Sequence, residues 1–213
     1  MFITLEGIEG SGKTTQLQLL QKWLPDRYPC IFTREPGGTR FGEELRHILL
    51  FFQKESIADR AELLLYAADR SQHTESIIKP QLASGIVVIC DRFADSAIAY
   101  QGFGRKLPLN LIMQVNQLAT DGLTPDLTLW FDVDVETGLD RAKSRQKLDR
   151  IGQKLDRIEQ ADIEFHRRVH LGYLFLAKSH PDRIVRIDAR SPVTEIASKV
   201  KSIITQRIEA KKQ

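Results

Sequence analysis

Eight consecutive residues, Gly7-Ile8-Glu9-Gly10-Ser11-Gly12-Lys13-Thr14, match the phosphate-binding pattern G-x-x-x-x-G-K-[ST] without a mismatch. Each residue type has a reason to be there. Glycines let backbone N–H groups converge on phosphate oxygens where a Cβ would obstruct. The N-terminus of a following helix adds its positive end. Lys13 supplies a point charge to the terminal phosphates of a nucleotide, and Thr14 a hydroxyl ligand for Mg²⁺. The flanks agree: residues 2–6 read as a short buried strand and residues 14–24 as the helix. A phosphate loop names a ligand but not a reaction. No Asn-Lys-x-Asp guanine signature occurs, which argues against a GTPase.

Further cations follow other strand-like runs: Arg34 in Thr33-Arg-Glu-Pro-Gly-Gly-Thr39, Arg92 in Asp91-Arg-Phe93, and Arg70 in the helical stretch Ala67-Ala-Asp-Arg-Ser-Gln-His73. Several cations converging on one cleft suit phosphoryl transfer, where catalysis is mostly positioning and charge neutralisation. Asp91 stands where a carboxylate can hold Mg²⁺ directly or through water.

These groups need a frame. Apolar runs at residues 2–6, 30–33, 86–90, 127–133 and 183–187 alternate with helical patterns at 14–24, 41–52, 57–82, 110–120, 135–144, 158–179 and 192–209. Such alternation predicts an α/β fold, a five-stranded parallel sheet with helices on both faces, in one domain over 1–213. Ligands then sit at the carboxyl ends of the strands. A formal charge of +3 on 213 residues is too mild to argue for nucleic acid. No apolar run approaches the length of a membrane helix, and the phosphate loop begins too early for a leader peptide, so a cytoplasmic protein is expected. Cys30 and Cys90, both in apolar runs, read as buried reduced thiols.

Glu6 to Thr15, Thr33 to Thr39, Ala67 to His73, Asp91-Arg92, Ala99-Tyr-Gln101 and Asp156-Arg-Ile-Glu159 occur in one order. That ordered set resembles the bacterial thymidylate kinases over residues 2 to 190. The resemblance implies ATP and dTMP as substrates and dTDP as product. It implies that Glu9 approaches the sugar 3′-hydroxyl and the metal-phosphate region, although a solvated loop carboxylate is the plain alternative. Arg34, Glu35 and Pro36 would border the acceptor, although Pro36-Gly-Gly38 is also a turn signal. Tyr66 would stack on thymine, with core packing as its alternative. Arg70 would bind a thymine carbonyl, with an ion pair to Asp69 or Glu62 as its alternative. Arg92 would bind the acceptor phosphate through its planar fork. Ser96, Tyr100 and Gln101 would lie beside deoxyribose and base, Tyr100 excluding a 2′-hydroxyl.

The phosphate loop has no arginine, so the resemblance places the catalytic one in a short mobile lid at residues 141–159. There the chain carries a duplication: Gln146-Lys-Leu-Asp-Arg-Ile151 recurs as Gln153-Lys-Leu-Asp-Arg-Ile158. Arg150 and Arg157 would lie about 10 Å apart on one face of a continuous helix. Arg157 is favoured because Glu159 completes the family pattern only there, and Arg145 is a further candidate for the donor phosphates. Another nucleoside monophosphate kinase is the competing enzyme reading. A nucleotide-binding regulator without catalysis is the competing class, opposed by Lys13, Asp91 and Arg92. His47, His166, His170 and His180 read as surface or packing residues, and His73 as a neighbour of the acceptor. Relatives being homodimers, apolar faces on 41–52 and 57–82 are expected to supply an interface.

Overall fold

The computed structural model describes residues 1–52, 54–149, 157, 158 and 160–212; side chains at 145–149 and 212 are not part of the description. Five strands run parallel: β1 (Phe2–Glu6), β2 (Cys30–Arg34), β3 (Val87–Asp91), β4 (Leu127–Asp132) and β5 (Ile184–Asp188), in the spatial order β2-β3-β1-β4-β5. Ile3 pairs with Ile89 on one side and Leu127 on the other, which centres β1 in the sheet. Every residue of β1 and β4 is buried. A strand buried on both faces needs helices above and below, as parallel sheets do. Each fully buried Ile or Leu there contributes about 1.5–3 kcal/mol.

The helices are α1 (Lys13–Trp23), α2 (Arg40–Phe51), α3 (Asp59–His73), α4 (Lys79–Ala83), α5 (Ala94–Ala97), α6 (Leu109–Thr120), α7 (Val135–Asp149), α8 (Ile163–Ser179) and α9 (Val193–Lys212). The single helix expected over 57–82 is three pieces, because a π-helical turn at Thr74–Ile78 separates α3 from α4. A second π-helical stretch, Ile98–Gly104, extends α5 and carries Tyr100 and Gln101. The helix expected from 158 starts at Ile163, where Asp162 caps it by accepting from Phe165 N at 2.6 Å. Cys30 and Cys90 are free thiols, half-buried and buried.

Two glycines shape the loop, one by close approach and one by backbone angle. Gly10 has φ +69°, and a Cβ there would lie 1.9 Å from the Gly138 carbonyl oxygen of α7. Gly12, with φ +87°, occupies the cap position of α1, where no side chain caps the first turn. The leading N–H groups of α1 are thereby left without a side-chain partner, the arrangement that receives an anion.

Candidate active site

The loop after β1 is organised by Lys13. Its Nζ donates to the carbonyl oxygens of Gly7 at 2.8 Å and Ile8 at 3.0 Å, and to Ser11 Oγ at 3.3 Å. Gly7 and Ile8 thus lie beneath the loop as its anchor, while Glu9, Gly10, Ser11, Gly12, Lys13 and Thr14 face the main cleft. Burial, then the nearby Arg92 charge, pull the Lys13 ammonium down to about 8 against three carboxylates that oppose the shift.

The cleft has a volume of about 750 Å³ and is walled on its far side by Arg34, Pro36, Tyr66, Arg70, Asp91, Arg92, Ser96, Tyr100 and Gln101. Every expected acceptor residue is therefore brought to the phosphate loop. The strands do this: β2, β3 and β1 end side by side, so Arg34 pairs in register with Asp91.

Glu6, fully buried at the end of β1, ties the loop after β3 to the phosphate loop. It accepts from Phe93 N at 2.8 Å, Ser96 Oγ at 2.6 Å and Tyr173 Oη at 2.8 Å. Burial, then Asp95, push its carboxyl up to about 7. Arg92 sits at φ +71°, a left-handed backbone rare for arginine that aims its guanidinium into the cleft wall. Its Nη2 donates to Glu9 Oε1 at 2.8 Å, and its guanidinium lies 4.8 Å from the Tyr100 ring centroid. Tyr100 Oη also donates to Glu9, at 2.8 Å. Glu9 is accordingly no solvated loop carboxylate. Burial opposes its ionisation, but Arg92, His166 and Lys13 outweigh burial and hold it well below the usual range.

Arg70 is buried, and three of its five N–H groups are bound within the protein. Its Nε donates to Glu35 Oε2 at 2.9 Å, Nη1 to Asn116 Oδ1 at 3.0 Å and Nη2 to the Phe93 carbonyl at 3.4 Å. Neither Asp69 nor Glu62 is its partner. Glu35 in turn meets His73 Nδ1 at 2.9 Å, and His73 Nε2 lies 2.6 Å from Thr33 Oγ1. His73 is thus a buried support of the wall that faces the phosphate loop. Asp69 accepts from Gly37 N at 3.0 Å and steadies the Pro36-Gly37 turn. Burial and the charge of Glu35 push its carboxyl up to about 6.

Arg157 is placed differently from its expected role. Its Nε donates to the Leu49 carbonyl at 3.1 Å and its Nη2 to Glu62 Oε2 at 2.5 Å, which seats it against α2 and α3. Of the described residues near it, Ile158 lines the cleft. Arg150, Glu159 and the Arg145 side chain lie outside the described residues.

Three groups were not singled out in the sequence. Glu62 gathers Gln101, Arg105 and Arg157. His166, read as surface or packing, is fully buried with Nδ1 3.5 Å from Glu9 Oε2. A second recess of about 330 Å³ shares Gly10, Ser11 and Gly12 with the cleft and is closed by Arg141, Ala189, Ser191 and Val193. Only its place at the carboxyl edge of the sheet, after β5, pointed to it.

A parallel sheet with a phosphate loop after its central strand, facing a second cation-lined wall across one cleft, defines a P-loop nucleoside monophosphate kinase. The Thymidylate kinase family model matches residues 5–200. The chain is 53% identical over 211 residues to a thymidylate kinase of Synechococcus sp. (strain JA-3-3Ab), covering 99% of this chain and 98% of that one. It is 50% identical over 223 residues to one of Trichodesmium erythraeum, covering 97% and 96%. The structure of thymidylate kinase from Ehrlichia chaffeensis superposes with a TM-score of 0.76 at 38% identity, covering 96% of this chain and 98% of that one. The chain belongs to the thymidylate kinase family, and its reaction is the phosphorylation of dTMP. No helix among the described residues is long and apolar enough to cross a membrane.

Proposed function

We propose that the cleft transfers the γ-phosphoryl group of ATP to a 5′-phosphate oxygen of dTMP, releasing ADP and dTDP, within a single domain spanning residues 1–213. One observation carries this reading: the same 750 Å³ cleft is lined by Gly10 to Thr14 on one side and by all eight acceptor residues on the other. The attacking oxygen is already anionic, so no strong general base is required. The oxygen–γ-phosphorus bond forms as the β,γ-bridging bond breaks, and the electron pair leaves on ADP. Lys13 neutralises the donor phosphates, and Arg92, held by Glu9, receives the acceptor phosphate. Tyr66 stacks on the base, Arg70 and Gln101 read its edge, and Arg34, Pro36, Ser96 and Tyr100 enclose the sugar and phosphate. The recess closed by Arg141 and Ser191 receives the donor nucleoside.

Asp91 and Thr14 fit Mg²⁺. Both offer hard oxygens, and buried Asp91 Oδ1 has no hydrogen-bond partner among the described residues. No trio of His, Cys, Asp or Glu among those residues could hold a metal alone, so phosphate and water oxygens complete the shell, as Mg²⁺ prefers. When bound, the ion supplies further neutralisation of the β- and γ-phosphate oxygens. Arg145 and Arg157 remain the candidates for the last cation, and Arg157 must exchange Glu62 for phosphate to serve. A cytoplasmic homodimer is the form we propose, joined through apolar residues exposed on the two helices expected to supply it, Phe41, Ile48 and Phe51 of α2 and Leu64 of α3.

Turnover on dTMP, dUMP, UMP, dCMP and AMP tests the reading. Preference for dTMP is expected, and preference for AMP or UMP overturns it. The same panel on Arg150→Ala and Arg157→Ala decides the lid: a larger loss in Arg157→Ala is expected, and equal loss refutes the assignment.

A further inference from the structure

Buried inside the acceptor wall is a carboxylate with no assigned task. Glu62 of α3 is fully buried and accepts from Gln101 Nε2 at 2.9 Å, from Arg105 Nε at 3.2 Å and Nη2 at 3.1 Å, and from Arg157 Nη2 at 2.5 Å. We propose that Glu62 is a specificity-determining residue that fixes which end of the Gln101 amide faces the acceptor base, and so restricts that base to one presenting an N–H. The inference rests on the reading above that Gln101 borders the base.

The argument is one of donors and acceptors. Burial works against ionisation of Glu62, but its bonds and charge contact with Arg105, then Gln101 and Arg157, hold the carboxyl below its ordinary value. An ionised carboxylate accepts and never donates. A glutamine amide has two ends of nearly equal shape and opposite character, so shape alone does not choose its orientation. Beside Glu62 the choice is forced. The flipped amide would set its carbonyl oxygen against Glu62 Oε1 in a buried place, where the carboxylate keeps Arg105 Nε but the amide oxygen meets repulsion and no donor. The NH₂ end therefore belongs to Glu62, and the carbonyl end is what Gln101 offers to the cleft it lines.

An acceptor at that point suits the N3–H of thymine or uracil and opposes the N3 lone pair of cytosine. Helix geometry supplies the complementary half. Glu62, Tyr66 and Arg70 are spaced i, i+4, i+8 on α3, one stripe along one face. Tyr66 offers a stacking surface between Glu62, which holds Gln101, and Arg70, which is donor-only and suited to the C4 carbonyl that cytosine replaces with an amine. Neither group sees the C5 methyl. The pair therefore separates dTMP and dUMP from dCMP, but not dTMP from dUMP.

Glu62→Gln, assayed as kcat/KM on dTMP, dUMP and dCMP, is the test. The glutamine both donates and accepts, so Gln101 is released to turn. The dCMP to dTMP ratio should rise at least about tenfold, with the dUMP to dTMP ratio unchanged. Equal loss on all three acceptors overturns the proposal. Arg105→Met keeps the carboxylate while removing one of its partners. It should cost stability and leave both ratios alone, and a ratio change matching that of Glu62→Gln would assign the effect to packing and overturn the proposal. Gln101→Leu separates the two readings. If it preserves the wild-type dCMP to dTMP ratio, Gln101 does not read the base, and the fault lies there and not with Glu62. Should Glu62→Gln not fold, wild-type protein binding dTMP labelled with ¹⁵N at N3 carries the test. A solvent-protected N3 imino proton is expected, and one exchanging as fast as in free dTMP overturns the proposal.

Discussion

The two walls of the cleft, the proposed donor and acceptor sides, are built on opposite principles. The donor wall is local: the contacts of Lys13 span at most six residues, and a glycine-capped helix follows at once. The acceptor wall is assembled from afar. Arg70 reaches Glu35 and Asn116, 35 and 46 residues away, and Arg92 reaches Glu9 across 83. A local site depends on a few backbone angles, so substitutions there should remove chemistry and spare the fold. A dispersed site shares its ion pairs with the fold, so substitutions there should damage both.

Breaking the donor wall gives the largest effect. Lys13→Met should lower kcat about a thousandfold, the scale of losing a fixed cation in phosphoryl transfer. Binding of dTMP, followed by calorimetry, should persist, and its loss would mean the walls are not separable. Next comes Arg70→Met, which strands Glu35 with His73 as its remaining partner. Removing one member of a buried pair costs about 3–5 kcal/mol, to be read from urea unfolding. A loss below about 1 kcal/mol would show the acceptor wall to be as separable as the donor wall.

The titration of Lys13 sharpens the contrast. Its pKa of about 8 lies below that of a free lysine, so the charge that attracts ATP is lost as pH rises through 8. kcat/KM for ATP should fall above that pH, approaching tenfold per unit, whereas kcat at saturating ATP should hold to higher pH because bound phosphate favours the ammonium. A flat kcat/KM profile to pH 10 would refute this. The smallest change belongs to Arg34→Ala. Its pair with Glu43 is long at 3.4 Å and exposed on both sides, so unfolding stability should move by no more than about 0.5 kcal/mol. Stability loss on the scale of Arg70→Met would end the distinction between exposed and buried arginines of the acceptor wall.

What was readable in the residues follows the same division. All five strands lie within a residue of their expected bounds, because apolar runs between turn signals have little freedom. The break at Thr74–Ile78 was not readable. A π-helical turn changes only the hydrogen-bond partner, one residue further along, and leaves the apolar pattern almost intact. Arg70 was marked as a site residue, but its partner was sought on its own helix. The spacing to Glu62 and Asp69 invited that, whereas Glu35 lies at a strand end that only the sheet brings near. His73 and His166 show no metal-ligand or triad spacing; His73 was placed near the acceptor only through the motif it closes, and the burial of both beside Glu35 and Glu9 follows from helix packing.

By itself the sequence determined the phosphate loop, the α/β frame and the set of arginines, since each rests on residue type and on contacts a few positions apart. The tertiary structure decided how those arginines are spent. Arg92 is joined to Glu9 across the sheet, Arg70 is anchored by Glu35, and Arg157 is drawn to Glu62. A buried charge must find an opposite charge within a few ångströms, and which one it finds depends on which strand and helix ends the fold sets side by side.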